Sequence, residues 1–309
     1  MKKFLLLFLA LSLIGGAAFA QDLGLSAGLE FHVGVLNHES VDAMDTALLR
    51  PVLVWENDDL VDNLELYAEV GVPFWMNSWI ATLMSEDNTP WLGVDLTLKG
   101  TYNLALTPEG TLSFILKSQS LFLAFDDEIS GAVKSPAFGW SYTGGMYGII
   151  DTQSWLKPGI RYTHALNGMS FFGQVNVPFL LFSGTDDEDP FNHVGLDFIL
   201  GWNMNMDFGL IGAELELNNW IRQGGKSPDD FLNWLTITPF VEAGPLYAEI
   251  AFGVPLVENG IDAYGMTITP EVRYQIMDNL RAFVNLPIYG IASENDVMFG
   301  LGLGVMFSF

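Results

Sequence analysis

The sequence predicts an all-β protein, a transmembrane antiparallel up-and-down β-barrel, and three observations support this fold class. Apolar and polar residues alternate over many segments of about 11 to 13 residues, which is long enough for a tilted strand to cross a bilayer. The chain of 309 residues is 50% hydrophobic, although its 37 acids and 12 bases give it a formal net charge of -25. Beyond residue 20, no segment has the run of about 18 apolar residues that a spanning helix requires.

The first twenty residues have the pattern of an export signal. Two lysines precede an apolar run from Phe4 to Ile14, and small residues ending at Ala20 follow it. A basic start, an apolar core and an A-x-A site are typical of a cleaved signal peptide. We therefore expect residues 1–20 to be removed and residues 21–309 to form one barrel domain. An uncleaved membrane anchor is disfavoured because the apolar run is too short.

Alternation is clearest at the two ends of the predicted barrel. The odd positions from Leu23 to Val35 are apolar, and the even positions between them are glycine, serine, glutamate or histidine. The same parity holds from Val297 to Phe309. A period of two indicates a strand with one apolar and one polar face. A soluble β-sandwich is the alternative, but its strands average about 5 to 6 residues, so the longer alternation favours a barrel with a lipid-facing exterior and a polar lumen.

Fourteen strands are predicted, an even number as in single-chain bacterial barrels. Their ranges are 23–35, 46–56, 64–75, 91–106, 110–125, 153–165, 169–182, 193–205, 209–219, 231–243, 246–256, 263–276, 279–289 and 296–309. Short connections mostly alternate with long ones, so the short turns and both termini are expected on the periplasmic side. Residues 126–152 are either a loop, folded into the lumen as a constriction, or an extra hairpin that would make sixteen strands.

Three prolines lie within predicted strands. Pro51, Pro239 and Pro270 each remove one donor from a hydrogen-bonded ladder. We therefore expect bulges or register shifts at these positions.

The C-terminal segment GLGLGVMFSF carries a family resemblance. Gly302, Val305 and Phe307 lie on a final alternating strand that ends with the aromatic residue Phe309. This segment resembles the β-signal that outer-membrane barrel proteins present to the barrel assembly machinery. With the export signal at the other end, the chain is similar in architecture to bacterial outer-membrane β-barrel proteins of the porin-like kind. The resemblance implies a location in the bacterial outer membrane, contact with its lipid, and insertion by that machinery.

The resemblance assigns no subfamily. In size and strand number the chain is similar to fourteen-stranded monomeric porins and to long-chain fatty-acid transporters. The transporters carry a plug before their first strand, whereas the first strand is predicted here to begin almost at Gln21.

Charged residues within the strands occupy the same alternate positions as the other polar residues. A base on the lipid face near the bilayer midplane would cost about 2 to 4 kcal/mol, so these side chains are expected to line the lumen. The candidate pore-lining residues are Glu30, His32, Glu65, Glu69, Asp95, Lys99, Lys117, Lys157, Arg161, Asp197, Glu214, Glu216, Glu242, Glu249, Glu271, Arg273 and Arg281. Ten acids against six bases predict a lumen that prefers cations. In the alternative interpretation these charges pair across strands, for example Glu271 with Arg273 and Arg281, and fill a narrow interior.

The predicted function is therefore a porin-like channel for small hydrophilic solutes. Two alternatives stay open, a transport barrel for apolar solutes of the fatty-acid type and a structural or adhesive barrel whose loops bind a partner. The acidic charge excludes nucleic acid as a partner, since binding phosphate requires a basic surface. The absence of cysteine excludes a disulfide framework and thiolate chemistry.

The sequence predicts no enzymatic activity, no cofactor and no metal site. His193 and Asp197 share one face of a strand but lie about 13 Å apart along it, too far for direct contact. The acidic connections contain oxygen ligands that suit calcium or magnesium, but they lack the spacing of a calcium-binding loop, so solvated loop tips are expected. Aromatic residues such as Tyr102, Trp202 and Trp234 are expected in interfacial girdles or on the lipid face.

Overall fold

The computed structural model describes residues 24–38, 41–75, 91–123, 133–135, 148–150, 153–183, 193–223, 233–256, 260–261, 265–293 and 297–309. The predicted export signal lies outside these ranges and stays a prediction. Among the described residues, no helix combines the length and the apolar character needed to span a membrane.

The described part of the chain is almost entirely β-structure. The strands are β1 Leu25–His38, β2 Val41–Val61, β3 Leu64–Gly71, β4 Phe74–Trp75, β5 Trp91–Ala105, β6 Gly110–Leu123, β7 Val133–Ser135, β8 Gly148–Ile150, β9 Gln153–Leu166, β10 Met169–Asn176, β11 Phe179–Ser183, β12 His193–Met206, β13 Gly209–Gln223, β14 Trp234–Ala243, β15 Leu246–Pro255, β16 Met266–Met277, β17 Leu280–Asn285, β18 Ile288–Ile291 and β19 Met298–Ser308. Seventeen of them form one antiparallel sheet. The pairs β3/β4, β10/β11 and β17/β18 are each two pieces of one strand, so the sheet has fourteen barrel strands.

The sheet is closed because the last strand pairs with the first. The register between β1 and β19 runs from Ser26 opposite Ser308 to Leu36 opposite Met298. The backbone N–H of Phe309 donates to the carbonyl of Leu25 at 3.0 Å, which extends the seam to the last residue. Each strand pairs with its neighbours in chain order, so the predicted fourteen-stranded up-and-down barrel is confirmed.

Short turns join the strands at the end of the barrel where β1 begins and β19 ends, which we call the short-turn end. Between β9 and β10, Asn167 and Gly168 have φ values of 51° and 80°. Two successive residues with positive φ match the twist of a two-residue hairpin, and asparagine and glycine tolerate that conformation best. Local sequence therefore sets this connection and the register that follows it.

The region 126–152 contributes two short paired strands that are not part of the barrel sheet. β7 pairs with β8 in a separate two-stranded sheet. The barrel wall passes directly from β6 to β9, with Gly110 opposite His164. The sixteen-stranded alternative is therefore not formed. The rest of this region lies outside the described residues.

The barrel carries its apolar residues outside and its polar residues inside. Leu200 and Phe114 on the outer face expose 58% and 45% of their surface, whereas Asp95 and Asp197 on the inner face expose 1% and 5%. A soluble protein hides large apolar side chains from its solvent, so an outer surface of this kind suits lipid. The soluble sandwich is thus the wrong alternative.

The prolines act differently from the expectation. Pairing keeps its register past Pro51, Pro239 and Pro270, although the β14–β15 ladder has no pairs at Thr238 and Pro239. Ladders are also interrupted at three other prolines, Pro73, Pro178 and Pro287, which lie beside the strands that carry Pro51, Pro158 and Pro270. The pairing resumes in the same register beyond each interruption.

The same hydrogen-bond pattern occurs at Pro73, Pro178 and Pro287. The residue before the proline donates its N–H to the carbonyl of a proline on the preceding strand: Val72 to Pro51 at 3.0 Å, Val177 to Pro158 at 2.9 Å and Leu286 to Pro270 at 3.0 Å. A residue in an antiparallel ladder points its N–H and its carbonyl to the same neighbour. The proline that accepts therefore has no N–H to return, and the next residue along the interrupted strand is a second proline without a donor.

Candidate functional site

The lumen contains a cavity of about 810 Å³ bounded by β1, β2, β3, β5, β6, β16, β17 and β19. Ionisable side chains surround it because alternate residues of each strand face one side of the sheet, and these residues are at the inward-facing positions. The lining residues are Glu30, His32, Arg50, Glu56, Tyr67, Glu69, Thr97, Lys99, Lys117, Gln119, Glu271, Arg273, Arg281, Phe283, Asn285 and Met306. The cavity is polar, and Phe283 and Met306 are its apolar members.

Arg50 organises one side of this cavity. Its Nη1 donates to Glu30 Oε2 at 3.0 Å and its Nε donates to Asp95 Oδ2 at 2.9 Å, while its Nη2 contacts both Glu69 and Asp95. The side chain of Arg50 is 5% exposed and that of Asp95 is 1% exposed. Gly71 makes room for this contact, since a Cβ there would lie 2.2 Å from Arg50 Nε. One buried guanidinium therefore links carboxylates from β1, β3 and β5.

Sequence reasoning missed Arg50. Its strand has apolar residues on both faces, and Val52 and Val54 are inward-facing and only 5% and 8% exposed. This hides the alternation that marked the other strands. The strand register could have identified Arg50 as an inward-facing residue, since pairing of the first two strands places it opposite Glu30.

A second ionic group lies on β15 and β16. Arg273 Nε donates to Glu271 Oε1 at 2.5 Å, its Nη2 lies 3.9 Å from Glu249 Oε1, and its guanidinium carbon lies 4.8 Å from the ring centroid of Tyr247. The expected pairing of Glu271 with Arg273 is thus formed. Within the described residues, Arg281 forms no ion pair with Glu271 or any other acid.

Inward bases concentrate on β5, β6 and β9. Lys99, Lys117 and Lys157 stand opposite one another on these three strands. Farther along β9, Arg161 donates to Gln174 Oε1 at 2.6 Å and covers the ring of Phe172 at 4.5 Å.

Inward acids predominate on the strands that follow, from β12 to β15. Asp197 and Glu216 accept hydrogen bonds from Asn218 Nδ2 at 3.1 and 2.9 Å. Glu214 lies two residues before Glu216 on β13 and so faces the same side. The bases of β9 and the acids of β12 and β13 are therefore separated only by the strand formed by β10 and β11.

The remaining predicted pore-lining residues lie toward the short-turn end. Glu65 accepts from Asn103 Nδ2 at 2.6 Å and lines a cavity of about 500 Å³. Glu242 lines another, of about 440 Å³, together with Arg273 and Arg281. These cavities lie at the same end of the barrel as the start of β1 and the end of β19.

The aromatic prediction holds for two residues and fails for a third. Tyr102 and Trp202 are 44% and 37% exposed on the outer face. Trp234 is 6% exposed and points inward, because a Cβ on Gly253 of the neighbouring strand would lie 2.4 Å from its Nε1. It shares the parity of Thr236 and Thr238, so alternation along β14 gives its direction once the strand is bounded correctly.

The described residues offer no metal centre and do not bring the His193–Asp197 pair together. No group of three or more metal-ligating side chains is found among them. His193 instead packs edge-on against Trp155 and Trp220, with ring centroids 6.1 and 6.3 Å away. Asp197 faces Asn218.

Neither protein-family models nor curated proteins match the chain. Solved structures do. The toluene transporter TodX of P. putida is 10% identical, with 94% of this chain and 91% of that chain covered and a TM-score of 0.47. A deltaS2 mutant of the TodX monoaromatic hydrocarbon channel is 13% identical, with 96% and 94% covered and a TM-score of 0.48. A triple mutant of the Rhodopseudomonas blastica porin is 9% identical, with 92% and 100% covered and a TM-score of 0.37.

All three TM-scores lie below 0.5, so no statement about a solute rests on these matches. The architecture itself indicates that the protein spans a membrane. A closed fourteen-stranded barrel with an apolar exterior and a charged interior crosses a bilayer without leaving backbone groups unpaired in lipid. The chain has the architecture of a porin-like bacterial outer-membrane β-barrel protein.

Proposed function

We propose that the protein is a channel of the bacterial outer membrane for small hydrophilic solutes and that it prefers cations. The observation that carries this proposal is the charged cavity of about 810 Å³ inside the closed barrel. Eight strands already enclose an interior that side chains fill, so fourteen strands leave room for water. A lumen lined by ionisable groups favours hydrated solutes over apolar ones.

The preference for cations follows from the inward charges. Arg50 and Glu56 each add one to the six bases and ten acids of the predicted set, so acids keep an excess of four. Fixed negative charge raises the local concentration of cations in a low-dielectric pore.

The test is conductance of the refolded mature protein in planar bilayers. We expect discrete openings and, in a KCl gradient, a reversal potential that shows cation preference. The double variant Glu214→Gln/Glu216→Gln should shift that potential toward anions. Glu109→Gln is the control, since this exposed turn residue lies outside the lumen and is screened by salt.

Two results would defeat the proposal. One is silence from samples whose spectra and heat-modifiable migration show a folded barrel. The other is an anion-selective reversal potential in the unmodified protein.

Transport of apolar solutes remains the second candidate function. The observation that favours it is the interrupted ladder at Pro73, Pro178 and Pro287, where a lateral path through the wall would lie. Toluene or a long-chain fatty acid should then enter barrel-containing liposomes faster than empty ones. The adhesive alternative concerns the long connections, including residues 184–192, which lie outside the described residues.

A further inference from the structure

Three lysines form a row across adjacent strands of the lumen wall. Lys99 of β5 is directly opposite Lys117 of β6, and Lys117 is directly opposite Lys157 of β9. Residues in such positions have Cβ atoms about 4.5 to 5.5 Å apart. All three occupy inward-facing positions. Lys99 and Lys117 line the cavity of about 810 Å³, which we call the main cavity. We call Lys99, Lys117 and Lys157 the lysine row.

The carboxylates near the lysine row attract it from a distance, Glu69 and Glu216 acting on Lys117 and Asp197 on Lys157. Like charges directly opposite each other destabilise a sheet. Among the ion pairs of the described residues, none includes a member of the row. Glu69 is opposite Thr97, one inward position from Lys99, but it already accepts from Arg50 and Tyr67. The half-buried Lys99 and Lys117 therefore keep ammonium donors on the cavity wall that no ion pair with a described residue uses.

The main cavity differs in charge from the lumen as a whole. Its lining has five bases, Arg50, Lys99, Lys117, Arg273 and Arg281, and four acids, Glu30, Glu56, Glu69 and Glu271. Arg50 and Arg273 are held in ion pairs. The bases of the cavity that form no ion pair with described residues are Lys99, Lys117 and Arg281. Among the lining charges that form no ion pair with described residues, three are therefore basic and one, Glu56, is acidic.

Neutral donors flank the lysine row. Thr97 and Gln119 are opposite each other on β5 and β6, two residues along from Lys99 and Lys117, and both line the cavity. A hydroxyl and a carboxamide beside two ammonium groups suit an oxyanion, which accepts several hydrogen bonds at once.

We propose that the lysine row, with Thr97 and Gln119, is a binding site for a small multivalent oxyanion, a solute with phosphate or several carboxylate groups. This inference rests on the proposed channel, because the lumen is the route by which the anion reaches the lysines. The acidic excess elsewhere sets the preference for monovalent ions in transit, while the row holds a multivalent anion in place.

Equilibrium binding tests the site without depending on conductance. The refolded mature barrel in detergent micelles is titrated calorimetrically with inorganic phosphate and, separately, with citrate, which distinguishes phosphate from carboxylate ligands. We expect saturable binding of at least one anion that weakens as KCl rises. Lys117→Gln should weaken it about tenfold or more, the loss of one hydrogen bond to a charged group. Lys117→Arg, which keeps the charge, should bind more tightly than Lys117→Gln.

Arg161→Gln is the matched control, because it removes one inward charge from the strand that carries Lys157 but leaves the row intact. Heat-modifiable migration checks that each variant is folded. Absence of binding to the unmodified barrel, or an equal loss in Arg161→Gln and Lys117→Gln, would overturn the inference. Should Lys117→Gln not fold, Lys157→Gln is compared with Arg161→Gln in the same way.

Conductance separates this inference from the proposed function. Added phosphate or citrate should reduce the current of the unmodified channel and have less effect on Lys117→Gln. A barrel that conducts but binds neither anion contradicts the site and leaves the channel standing. A barrel that binds an anion but never conducts contradicts the channel and leaves the site standing.

Discussion

At the scale of single residues, the charges of the lumen are arranged by contact as well as by parity. Arg50 is surrounded by Glu30, Glu69 and Asp95, so this cluster keeps a net negative charge in spite of its ion pairs. Lys99 and Lys117, farther along the same wall, keep positive charge. Neighbouring regions of one cavity therefore present opposite signs to a solute.

Removal of Arg50 should destabilise the barrel strongly. Arg50→Gln leaves three carboxylates close together in a buried position, and the loss of one partner of a buried ion pair costs about 3 to 5 kcal/mol. The measurement is the free energy of unfolding in lipid vesicles, followed by tryptophan fluorescence in urea. Arg281→Gln is the control, because Arg281 is exposed and forms no ion pair with a described residue. Equal stability of the two variants would show that the Arg50 cluster does not support the wall.

At the scale of strands, proline and glycine act together. Pro178 and Pro287 each accept a hydrogen bond from a glycine of the following strand, Gly195 and Gly300, both at 2.8 Å. A Cβ on Gly195 would lie 3.0 Å from Pro178 Cγ, and one on Gly300 would lie 2.7 Å from Pro287 Cγ. The proline ring thus occupies the space that a side chain on the next strand would need.

Gly300→Ala should therefore lower the free energy of unfolding by about 1 to 3 kcal/mol, the usual cost of overpacking. Pro287→Ala removes the ring that causes the clash. Adding Gly300→Ala to the Pro287→Ala variant should therefore lower the free energy of unfolding much less than adding it to the unmodified protein. Urea unfolding of the unmodified protein, the two single variants and the double variant gives the coupling energy between the two positions. Strictly additive effects would mean that the contact between the two positions is unimportant.

At the scale of the whole molecule, closure depends on the two ends of the chain. β19 pairs with β1 along its length, and Phe309 bonds to Leu25 and stacks edge-on with Phe307 at a centroid distance of 5.1 Å. Val305 is 46% exposed on the lipid face and Gly302 faces inward. The predicted assembly signal and the closing seam are therefore one strand.

If the last strand is read by the barrel assembly machinery, Phe309→Ala should lower the amount of folded barrel in the outer membrane while the purified variant still refolds in detergent. Membrane fractionation with heat-modifiable migration measures the first quantity, and refolding yield measures the second. Phe208→Ala is the control, since Phe208 is an exposed aromatic residue in a turn at the short-turn end. Parallel losses in both measurements would assign Phe309 a purely structural role.

Most strand positions follow from local chemistry, and the exceptions are informative. Alternation placed β5 and β12 within about a residue of their observed ends, because one face of each strand must meet lipid. Alternation overlooks Arg50, whose strand is apolar on both faces, and the aromatic type of Trp234 predicts an outer position although the residue lies inside. Proline content predicts irregularity at Pro51, Pro239 and Pro270, but the strands themselves are divided at Pro73, Pro178 and Pro287.

The sequence by itself determined the fold class, the fourteen strands and the side of the wall to which most charged residues belong, since a period of two is a local property of the chain. Only the tertiary structure decided which charges meet. Arg50 and Asp95 are 45 residues apart, and their contact depends on the register of three successive strands. The lysine row likewise needs β5, β6 and β9 in one register, although the region 126–152 separates the last two. Register is set by turns and closure across the whole sheet, so no local pattern contains it.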